Sequence, residues 1–335
     1  MHRFDRHRRR FLGAAGATAA ATTLLPAALG PLASSTAAAS AQRARVVNRS
    51  LPAAAAGTFW LGGDLEIARM GFGAMRITGE GIWGEPKDQR EARAVLRRLL
   101  ELGVNFIDTA DAYGPMVSER LIAEALHPYP HGLVIATKGG FTRQGPNKWT
   151  PDGRPEHLRE ACEASLRRLK LERIDLYQLH FPDPKVPYED SVGTLVQLQR
   201  EGKIRHIGVS NVDAGQLARA RALATVVSVQ NRYNVADRSS EEVLRICEKD
   251  GIGFIPWGPL AQRAQAADSP PVPMVALQAI AQQRRISVAQ AGLAWLLARS
   301  PVMLPIPGTS SQGHLEENVA AARIRLTAKE LQSVG

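Results

Sequence analysis

Residues 106–114 have the sequence FIDTADAYG, in which a short apolar run ends at Asp108 and Tyr113 follows in the next polar stretch. Apolar runs of this length predict buried strands, and the polar and glycine residues after them predict loops. Other segments repeat this design, namely GFGAM at 71–75, IATKGG at 135–140, LYQLH at 176–180 and GVSN at 208–211. Together they predict buried strands that carry polar side chains at their carboxyl ends.

Strand-like runs alternate with helix-period segments from residue 69 to the C-terminus. This alternation predicts parallel strands joined by crossover helices, and eight such units predict an α/β fold of the (β/α)8 TIM barrel type. The predicted strands lie near 69–73, 105–110, 133–138, 174–180, 204–209, 226–232, 253–257 and 303–307. An open doubly wound sheet is the alternative, but no G-x-G-x-x-G motif follows the first strand.

The residues just before the barrel are predicted to form a cap and a linker. Residues 58–68 contain two short strand-like pieces around Gly62-Gly63-Asp64, which predicts an N-terminal β-hairpin cap on the barrel floor. Residues 42–57 are rich in alanine and show no apolar period, so we predict a linker there. The barrel domain with its cap is therefore predicted at 58–335.

Residues 1–41 combine a basic start, an apolar stretch rich in alanine and a small-residue exit, which is typical of a targeting segment. The run RRRFL at 8–12 resembles the core of a twin-arginine export signal, with His7 where Ser or Thr is usual. The apolar run from Phe11 to Leu25 is short for a membrane span. We predict cleavage after Ala41 and Tat export to the periplasm or the extracellular space, a disordered basic tail or an uncleaved anchor being the alternative.

Charge and cysteine content exclude some classes of function. Removal of residues 1–41 would lower the formal charge from +10 to +6, and the remaining cations are scattered among acids, so nucleic-acid binding is not predicted. Cys162 and Cys247 are the only cysteines and fall on different predicted helices, which disfavours a disulfide. Two cysteines also exclude an iron–sulfur cluster held by four thiolates of one chain. We predict no metal site.

In their order and spacing, the five segments resemble the aldo-keto reductases, and the resemblance runs from about Thr58 to the C-terminus. It implies an NAD(P)H-dependent oxidoreductase whose catalytic residues are Asp108, Tyr113, Lys138 and His180, all at predicted strand ends. It also implies that Tyr113 donates a proton to the substrate carbonyl oxygen while the nicotinamide delivers a hydride to the carbon.

The chemistry of these four side chains suits that role. A free tyrosine has a pKa near about 10, so its acidity must be tuned by neighbours. The charge of Lys138 would favour the phenolate, and Asp108 would hold Lys138 in position. His180 would orient the carbonyl by a hydrogen bond. Each residue alone has a structural explanation, but four matched groups at strand ends favour catalysis.

The resemblance also implies a nicotinamide cofactor site. It places Ser210, Asn211 and Gln230 against the carboxamide and Trp257 under the ring, where an ordinary buried aromatic is the alternative. The segment IPGTSS at 306–311 and the helix after it resemble the clamp for the adenosine phosphate. The further predicted contacts are Gly258, Pro259, Leu260, Gly308, Thr309, Ser310, His314, Glu317 and Asn318.

Cofactor preference is predicted from the residues of the phosphate clamp. Many relatives have Lys or Arg in the clamp where this chain has Gly308 and His314. We predict NADPH as the cofactor, with NADH not excluded.

The segment from residue 71 to 88, which includes GIWGEP at 81–86, resembles the pyridoxal reductase branch of the family. Met75, Arg76 and Trp83 are predicted to line the substrate pocket, with loop packing as the alternative. We predict a reductase that converts an aldehyde or ketone, pyridoxal being one candidate, to an alcohol. The alternative function is a nucleotide-binding regulatory or interaction subunit without significant turnover.

Overall fold

The computed structural model describes residues 46–261 and 269–335. The predicted export signal at 1–41 lies outside the described residues. Within the described part of the chain, no helix is long and apolar enough to cross a membrane.

The predicted hairpin is present and lies before the barrel. It consists of β1 (Thr58–Leu61) and β2 (Leu65–Ala68), which pair in antiparallel fashion. The turn between them contains two glycines whose φ values of 61° and 81° lie in the left-handed region that glycine adopts without steric cost. The side chains of Leu61 and Ile67 are buried in one apolar cluster with residues of the barrel strands, so the hairpin plugs one end of the barrel.

Two residues at the start of a barrel strand hold the hairpin turn. Asp64 lies 2.6 Å from Arg205 Nη2 through one carboxylate oxygen and 2.6 Å from His206 Nε2 through the other. Because this strand begins at Ile204, the hairpin covers the amino ends of the strands. The opposite end, where the strands run into their following loops, remains open for a site.

Seven parallel strands form most of the barrel wall. In the order of the sheet they are β3 (Phe72–Gly73), β4 (Phe106–Asp108), β5 (Val134–Gly139), β8 (Ile174–Leu179), β9 (Ile204–Ser210), β10 (Val226–Arg232) and β11 (Gly253–Trp257). A separate antiparallel hairpin of β6 (Phe141–Gly145) and β7 (Lys148–Pro151) follows β5 at the carboxyl end of the barrel.

The extended segment 302–305 closes the barrel. The Phe254 amide donates to Val302 O at 2.9 Å and the Leu304 amide donates to Phe254 O at 2.8 Å, while the Gly71 amide donates to Pro305 O at 3.0 Å. Both edges of the seven-stranded sheet are thus joined through this segment, which confirms the (β/α)8 barrel. The predicted eighth strand at 303–307 makes few ladder bonds because its two prolines lack an N–H.

Helices surround this wall and connect its strands. They are α1 (Gln89–Glu101), α2 (Val117–Leu126), α3 (Pro155–Leu169), α4 (Tyr188–Arg200), α5 (Ala214–Leu223), α6 (Glu241–Asp250), α7 (Val272–Arg284), α8 (Val288–Arg299), α9 (Gln312–Ala320) and α10 (Ala328–Val334). Asp88 is the N-cap residue of α1, and its side chain accepts from the Glu91 amide at 2.9 Å and so satisfies one free donor of the first turn.

Residues 46–57, which belong to the segment predicted as a linker at 42–57, contact the hairpin and the barrel. The amides of Val46 and Val47 donate to Glu66 Oε2 at 2.8 and 3.2 Å. A short 3₁₀ helix, Pro52–Ala56, buries two of its alanines, and the Ala53 amide donates to Leu102 O at 2.9 Å. Alanine side chains are small enough to allow this close approach. They do not, however, produce the apolar periodicity from which a packed helix or strand is predicted.

Candidate active site

Asp108, Lys138 and Tyr113 meet where β4 and β5 end. Lys138 Nζ donates to Asp108 Oδ2 at 2.7 Å, to Thr109 O at 2.8 Å and to Tyr113 Oη at 3.2 Å. An ammonium group has three donors, so these contacts use all of them. The Lys138 side chain is fully buried and Tyr113 is 6% exposed. The predicted contact between these three residues is therefore present in the structure.

The remaining oxygen of Asp108 accepts from two glutamine side chains. Gln178 Nε2 donates to Asp108 Oδ1 at 3.0 Å and Gln230 Nε2 donates to the same oxygen at 2.8 Å. Gln178 was missed in the sequence. A usable signal existed, because Gln178 lies two residues before His180 and alternate residues of a strand point to the same face. Gln230, predicted to contact the cofactor, also holds Asp108.

Burial and neighbouring charge shift the pKa values of Tyr113 and Lys138 in opposite directions. Burial raises the pKa of Tyr113 above its ordinary value, and the nearby charge of Lys138 lowers it by less. Burial alone would lower the pKa of Lys138, but Asp108 and Tyr113 raise it overall. Tyr113 therefore keeps its proton and Lys138 keeps its charge near neutral pH. We predicted a Tyr113 shifted toward the phenolate, whereas in the structure burial outweighs the lysine.

His180 follows β8 and lies beside Tyr113. The two ring centroids are 5.8 Å apart and the rings are nearly perpendicular. Burial, with the charges of Lys138 and Arg143, holds the pKa of His180 well below its ordinary value, so the ring is neutral. Its Nδ1 atom is buried and has no hydrogen-bond partner in the described part of the chain. In a neutral ring that carries its proton on Nε2, Nδ1 is unprotonated and Nε2 can donate a hydrogen bond.

Asn211 joins three residues of the predicted site. It has a left-handed φ of 58°. Its Nδ2 donates to His180 O and to Ser210 Oγ, both at 3.0 Å. Its Oδ1 accepts from Trp257 Nε1 at 2.9 Å, and Trp257 is 39% exposed at the end of β11. Ser210 and Asn211 thus fix the position of Trp257 and His180, and neither lines the cavities described next.

Two cavities open at this end of the barrel. The smaller, about 130 Å³, is lined by Asp108, Tyr113, Gln230 and Trp257 together with Met75 and Arg76. The larger, about 1090 Å³, lies between the loop after β3 and the segment that leads into α9. Predicted cofactor residues that line it are Leu260, Gly308, Thr309, Ser310, His314, Glu317 and Asn318. Gly258 and Pro259 line the smaller cavity with Leu260.

The larger cavity suits a dinucleotide. It extends from the small cavity at Tyr113 to the first turn of α9, and loops at this face of such barrels commonly bind phosphate. The exposed indole of Trp257 offers a flat surface in the smaller cavity, which shares Met75, Arg76, Leu260 and Gly308 with the larger one. Residues 308–314 contain no Lys or Arg, but a Cβ placed on Gly308 would lie 3.5 Å from Arg76 Cγ. The Arg76 side chain therefore passes beside Gly308, and it lines the same cavity as Gly308, Thr309 and Ser310.

Of the three residues predicted to line the substrate pocket, two line the cavities and one does not. Met75 and Arg76 line both cavities. Trp83 lines neither of them, and instead forms a backbone bridge with Gly114 and has the Arg143 guanidinium 5.8 Å from its ring centroid.

Asp111, in the loop between Asp108 and Tyr113, is a partly buried acid with no predicted role. Burial first, and then the negative charge of Glu119, raise the pKa of Asp111 to about 8. Its Oδ1 atom is buried and has no hydrogen-bond partner in the described part of the chain. The folded protein therefore favours the protonated acid.

We expect Asp111→Asn to stabilise the protein at alkaline pH. Because the folded-state pKa of about 8 exceeds the ordinary value of 3.8, the contribution of Asp111 to wild-type stability is most favourable below pH 3.8 and becomes less favourable as the pH rises to about 8. A neutral amide removes this loss, so the free energy of unfolding at pH 9 should rise by roughly 2 kcal/mol and at pH 4 should change little. Urea unfolding at both pH values measures this.

Asp152→Asn is the matched control. Hydrogen bonding by Arg154 holds the pKa of Asp152 below its ordinary value, so its amide should be neutral or destabilising at pH 9. An Asp111→Asn variant that is less stable than wild type at pH 9 would show that Asp111 is ionised and held by favourable contacts.

The barrel and the buried Tyr–Lys–Asp group with its neighbouring histidine define a class of protein, the nicotinamide-dependent carbonyl oxidoreductases. Residues 69–335 match the model of the Aldo/keto reductase family. The chain therefore belongs to the aldo-keto reductase family.

Relatives of known sequence agree with this assignment. The chain is 52% identical over 280 residues to an uncharacterized oxidoreductase of Schizosaccharomyces pombe, which covers 84% of this chain and 89% of that protein. It is 40% identical over 283 residues to pyridoxine 4-dehydrogenase of Escherichia coli, covering 83% of this chain and 96% of the relative.

Solved structures show the same fold. A glycerol dehydrogenase from Gluconobacter oxydans superposes with a TM-score of 0.74 at 29% identity, over 83% of this chain and 94% of that one. An aldo-keto reductase from Klebsiella pneumoniae in complex with NADPH gives a TM-score of 0.69 at 28% identity, over 83% of this chain and 93% of that one. The protein is thus an NAD(P)H-dependent reductase by family.

Proposed function

We propose that this protein reduces an aldehyde or ketone to an alcohol with NADPH, and that Tyr113 is the proton donor. One observation carries the proposal: a protonated, buried tyrosine contacts a buried lysine at 3.2 Å and borders a cavity that also contains an exposed tryptophan. An acid, a permanent charge and an aromatic surface are the groups that carbonyl reduction with a nicotinamide needs.

Each residue has a distinct task in this reaction. When bound, the reduced nicotinamide supplies the hydride for the carbonyl carbon. Tyr113 gives its hydroxyl proton to the carbonyl oxygen, so that no free alkoxide accumulates. The Lys138 ammonium stabilises the phenolate that remains, in a site from which water is largely excluded. Asp108 and the two glutamines keep Lys138 in place.

His180 contributes orientation rather than acidity. A ring held neutral by burial and nearby cations is a poor proton donor but can donate a hydrogen bond from Nε2. Such a bond to the carbonyl oxygen would fix the angle at which the carbon is presented.

Two similarities support the choice of cofactor and substrate. A solved structure of similar fold is in complex with NADPH, and Arg76 lines the larger cavity of this chain together with Gly308 of the clamp. A relative 40% identical is named pyridoxine 4-dehydrogenase, and the aldehyde that corresponds to its alcohol is pyridoxal. We therefore propose pyridoxal as the first aldehyde to test. Export through the twin-arginine route remains a prediction from the sequence, for which N-terminal sequencing of secreted protein is the direct check.

Stopped-flow absorbance at the reduced-nicotinamide band tests the proposal. Protein without residues 1–41 is mixed with NADPH or NADH and a panel of carbonyl compounds that includes pyridoxal. We expect saturable oxidation of NADPH with pyridoxal and slower or weaker use of NADH. Tight cofactor binding without turnover on any compound would contradict the proposal and favour a nucleotide-binding subunit.

A further inference from the structure

Glu91 connects α1 to α9 at the edge of the larger cavity. It lies in the first turn of α1, and its Oε1 accepts from the Gln312 amide at 3.1 Å. Its Oε2 accepts from Nε2 of the same glutamine at 3.2 Å. Glu91 also lines the larger cavity, together with Ser310 and His314, which lie on either side of Gln312 in the chain. A carboxylate from α1 is therefore present at the start of the predicted clamp helix.

The first amides of α9 are already hydrogen-bonded within the chain. Gln312 is the first residue of this helix, and its amide is one of those that find no partner in the helix itself. Glu91 accepts from this amide, and Thr309 Oγ1 accepts from the preceding Ser311 amide at 3.1 Å. A helix start attracts negative charge, and here Glu91 supplies that charge. A phosphate group bound at this point would share the helix start with a carboxylate.

Acidic side chains outnumber cations around the larger cavity. The cations that line it are Arg76 and Lys87, whereas the acids are Glu80, Asp88, Glu91 and Glu317. Residues 308–314 add no Lys or Arg. A strongly negative group bound at the clamp would therefore lie beside Glu91 without a cation of the clamp to offset the carboxylate.

NADPH and NADH differ by one such group. NADPH carries a phosphate on the 2′ oxygen of its adenosine ribose, where NADH has a hydroxyl. A phosphate monoester has a charge of about −1.5 to −2 at pH 7. Since the adenosine phosphate is predicted to bind at the clamp, a carboxylate there would oppose the binding of NADPH more than that of NADH.

We infer that Glu91 is a specificity-determining residue that lowers the affinity for NADPH relative to NADH. It does so in two ways, by repelling the 2′-phosphate and by occupying the Gln312 amide. The inference rests on the proposed binding of a nicotinamide cofactor in the larger cavity, and it names the residue that narrows the preference for NADPH. With a neutral side chain at position 91, the affinities for the two cofactors would differ more than they do in the wild type.

Glu91→Gln tests the inference, because it removes the charge but keeps the size of the side chain and an oxygen that can accept from the Gln312 amide. The dissociation constants for NADPH and NADH are measured by quenching of tryptophan fluorescence at physiological ionic strength, without a carbonyl compound. We expect the constant for NADPH to fall by about threefold to tenfold and the constant for NADH to change by less than about twofold.

Glu101→Gln is the matched control, since it removes one carboxylate from the same helix. Glu101 lies ten residues further along α1, which corresponds to about 15 Å of helix, and its side chain is 61% exposed. Charges this far apart are largely screened, because the Debye length at physiological ionic strength is about 8 Å. The ratio of the two dissociation constants should therefore stay at the wild-type value.

The outcomes separate the inference from the proposed function. If Glu91→Gln changes both constants by the same factor, Glu91 has only a structural role and the inference is overturned. It is also overturned if the constant for NADPH does not fall, or if Glu101→Gln shifts the ratio as strongly. Because the readout is binding, a chain that shows the expected shift but turns over no carbonyl compound would contradict the proposed reductase activity and support the inference. A wild type that binds neither cofactor would contradict both.

Discussion

Tyr113→Phe is expected to lower kcat by about 10³-fold or more while the dissociation constant for NADPH changes by less than twofold. The hydroxyl is the only group lost, and it is the group we assign as the proton donor. Without it, negative charge on the carbonyl oxygen is stabilised only by the hydrogen bond from His180 and by the charge of Lys138, whose Nζ lies 3.2 Å from the missing atom. Single-turnover kinetics and quenching of tryptophan fluorescence measure the two quantities.

The fold offers a matched control in Tyr177→Phe. Tyr177 is a fully buried tyrosine on β8, whose hydroxyl donates weakly to Leu158 O at 3.4 Å, away from both cavities. Its replacement removes a buried hydroxyl from the same barrel but should leave kcat within about twofold of wild type. A Tyr113→Phe enzyme that keeps wild-type turnover would show that another group supplies the proton.

Lys138→Met is expected to reduce both stability and activity. Removing one partner of a buried ion pair commonly costs about 3–5 kcal/mol, because the other charge is left in the interior. Here that charge is Asp108, which would retain only the two glutamine amides. We also expect kcat to fall by about 10²–10³-fold, since a preorganised charge at the developing anion is lost. Urea unfolding and turnover assays measure the two effects.

A double variant separates these effects. Lys138→Met with Asp108→Asn removes both charges, so the free energy of unfolding should recover part of the loss while kcat remains low. Arg221→Met is a surface control, because the pair of Arg221 with Asp250 at 2.6 Å is partly exposed and should contribute less than about 1 kcal/mol. Recovery of activity together with stability in the double variant would mean that Lys138 has only a structural role.

The chemistry of the site was largely predictable because its residues lie at fixed places in a repeated unit. Asp108 and Lys138 fall where apolar runs end, and parallel strands bring those ends to one face. The contact of Lys138 with both Asp108 and Tyr113 follows from that placement. The hairpin cap was predictable for a similar reason, since two glycines between strand-like pieces leave few alternatives.

Other features depend on contacts between distant segments. The packing of residues 46–57 depends on Glu66 and Leu102, which lie elsewhere in the chain. The two bonds that hold Asp108 Oδ1 come from β8 and β10. Neither hydrophobic periodicity nor a motif indicates which strand carries the hydrogen-bond partner of a given side chain.

The sequence by itself determined the order of eight strand and helix units, and the four side chains that stand where the strands end. These follow from local rules, since apolar period and turn residues act over a few neighbouring positions. Only the tertiary structure decided that Tyr113 stays protonated, because its pKa depends on how completely the surrounding strands exclude water. The structure also decided that the Arg143 guanidinium donates to the carbonyls of Ala112 and Gly81, because every residue of the chain has a backbone carbonyl and the sequence does not indicate which of them is used.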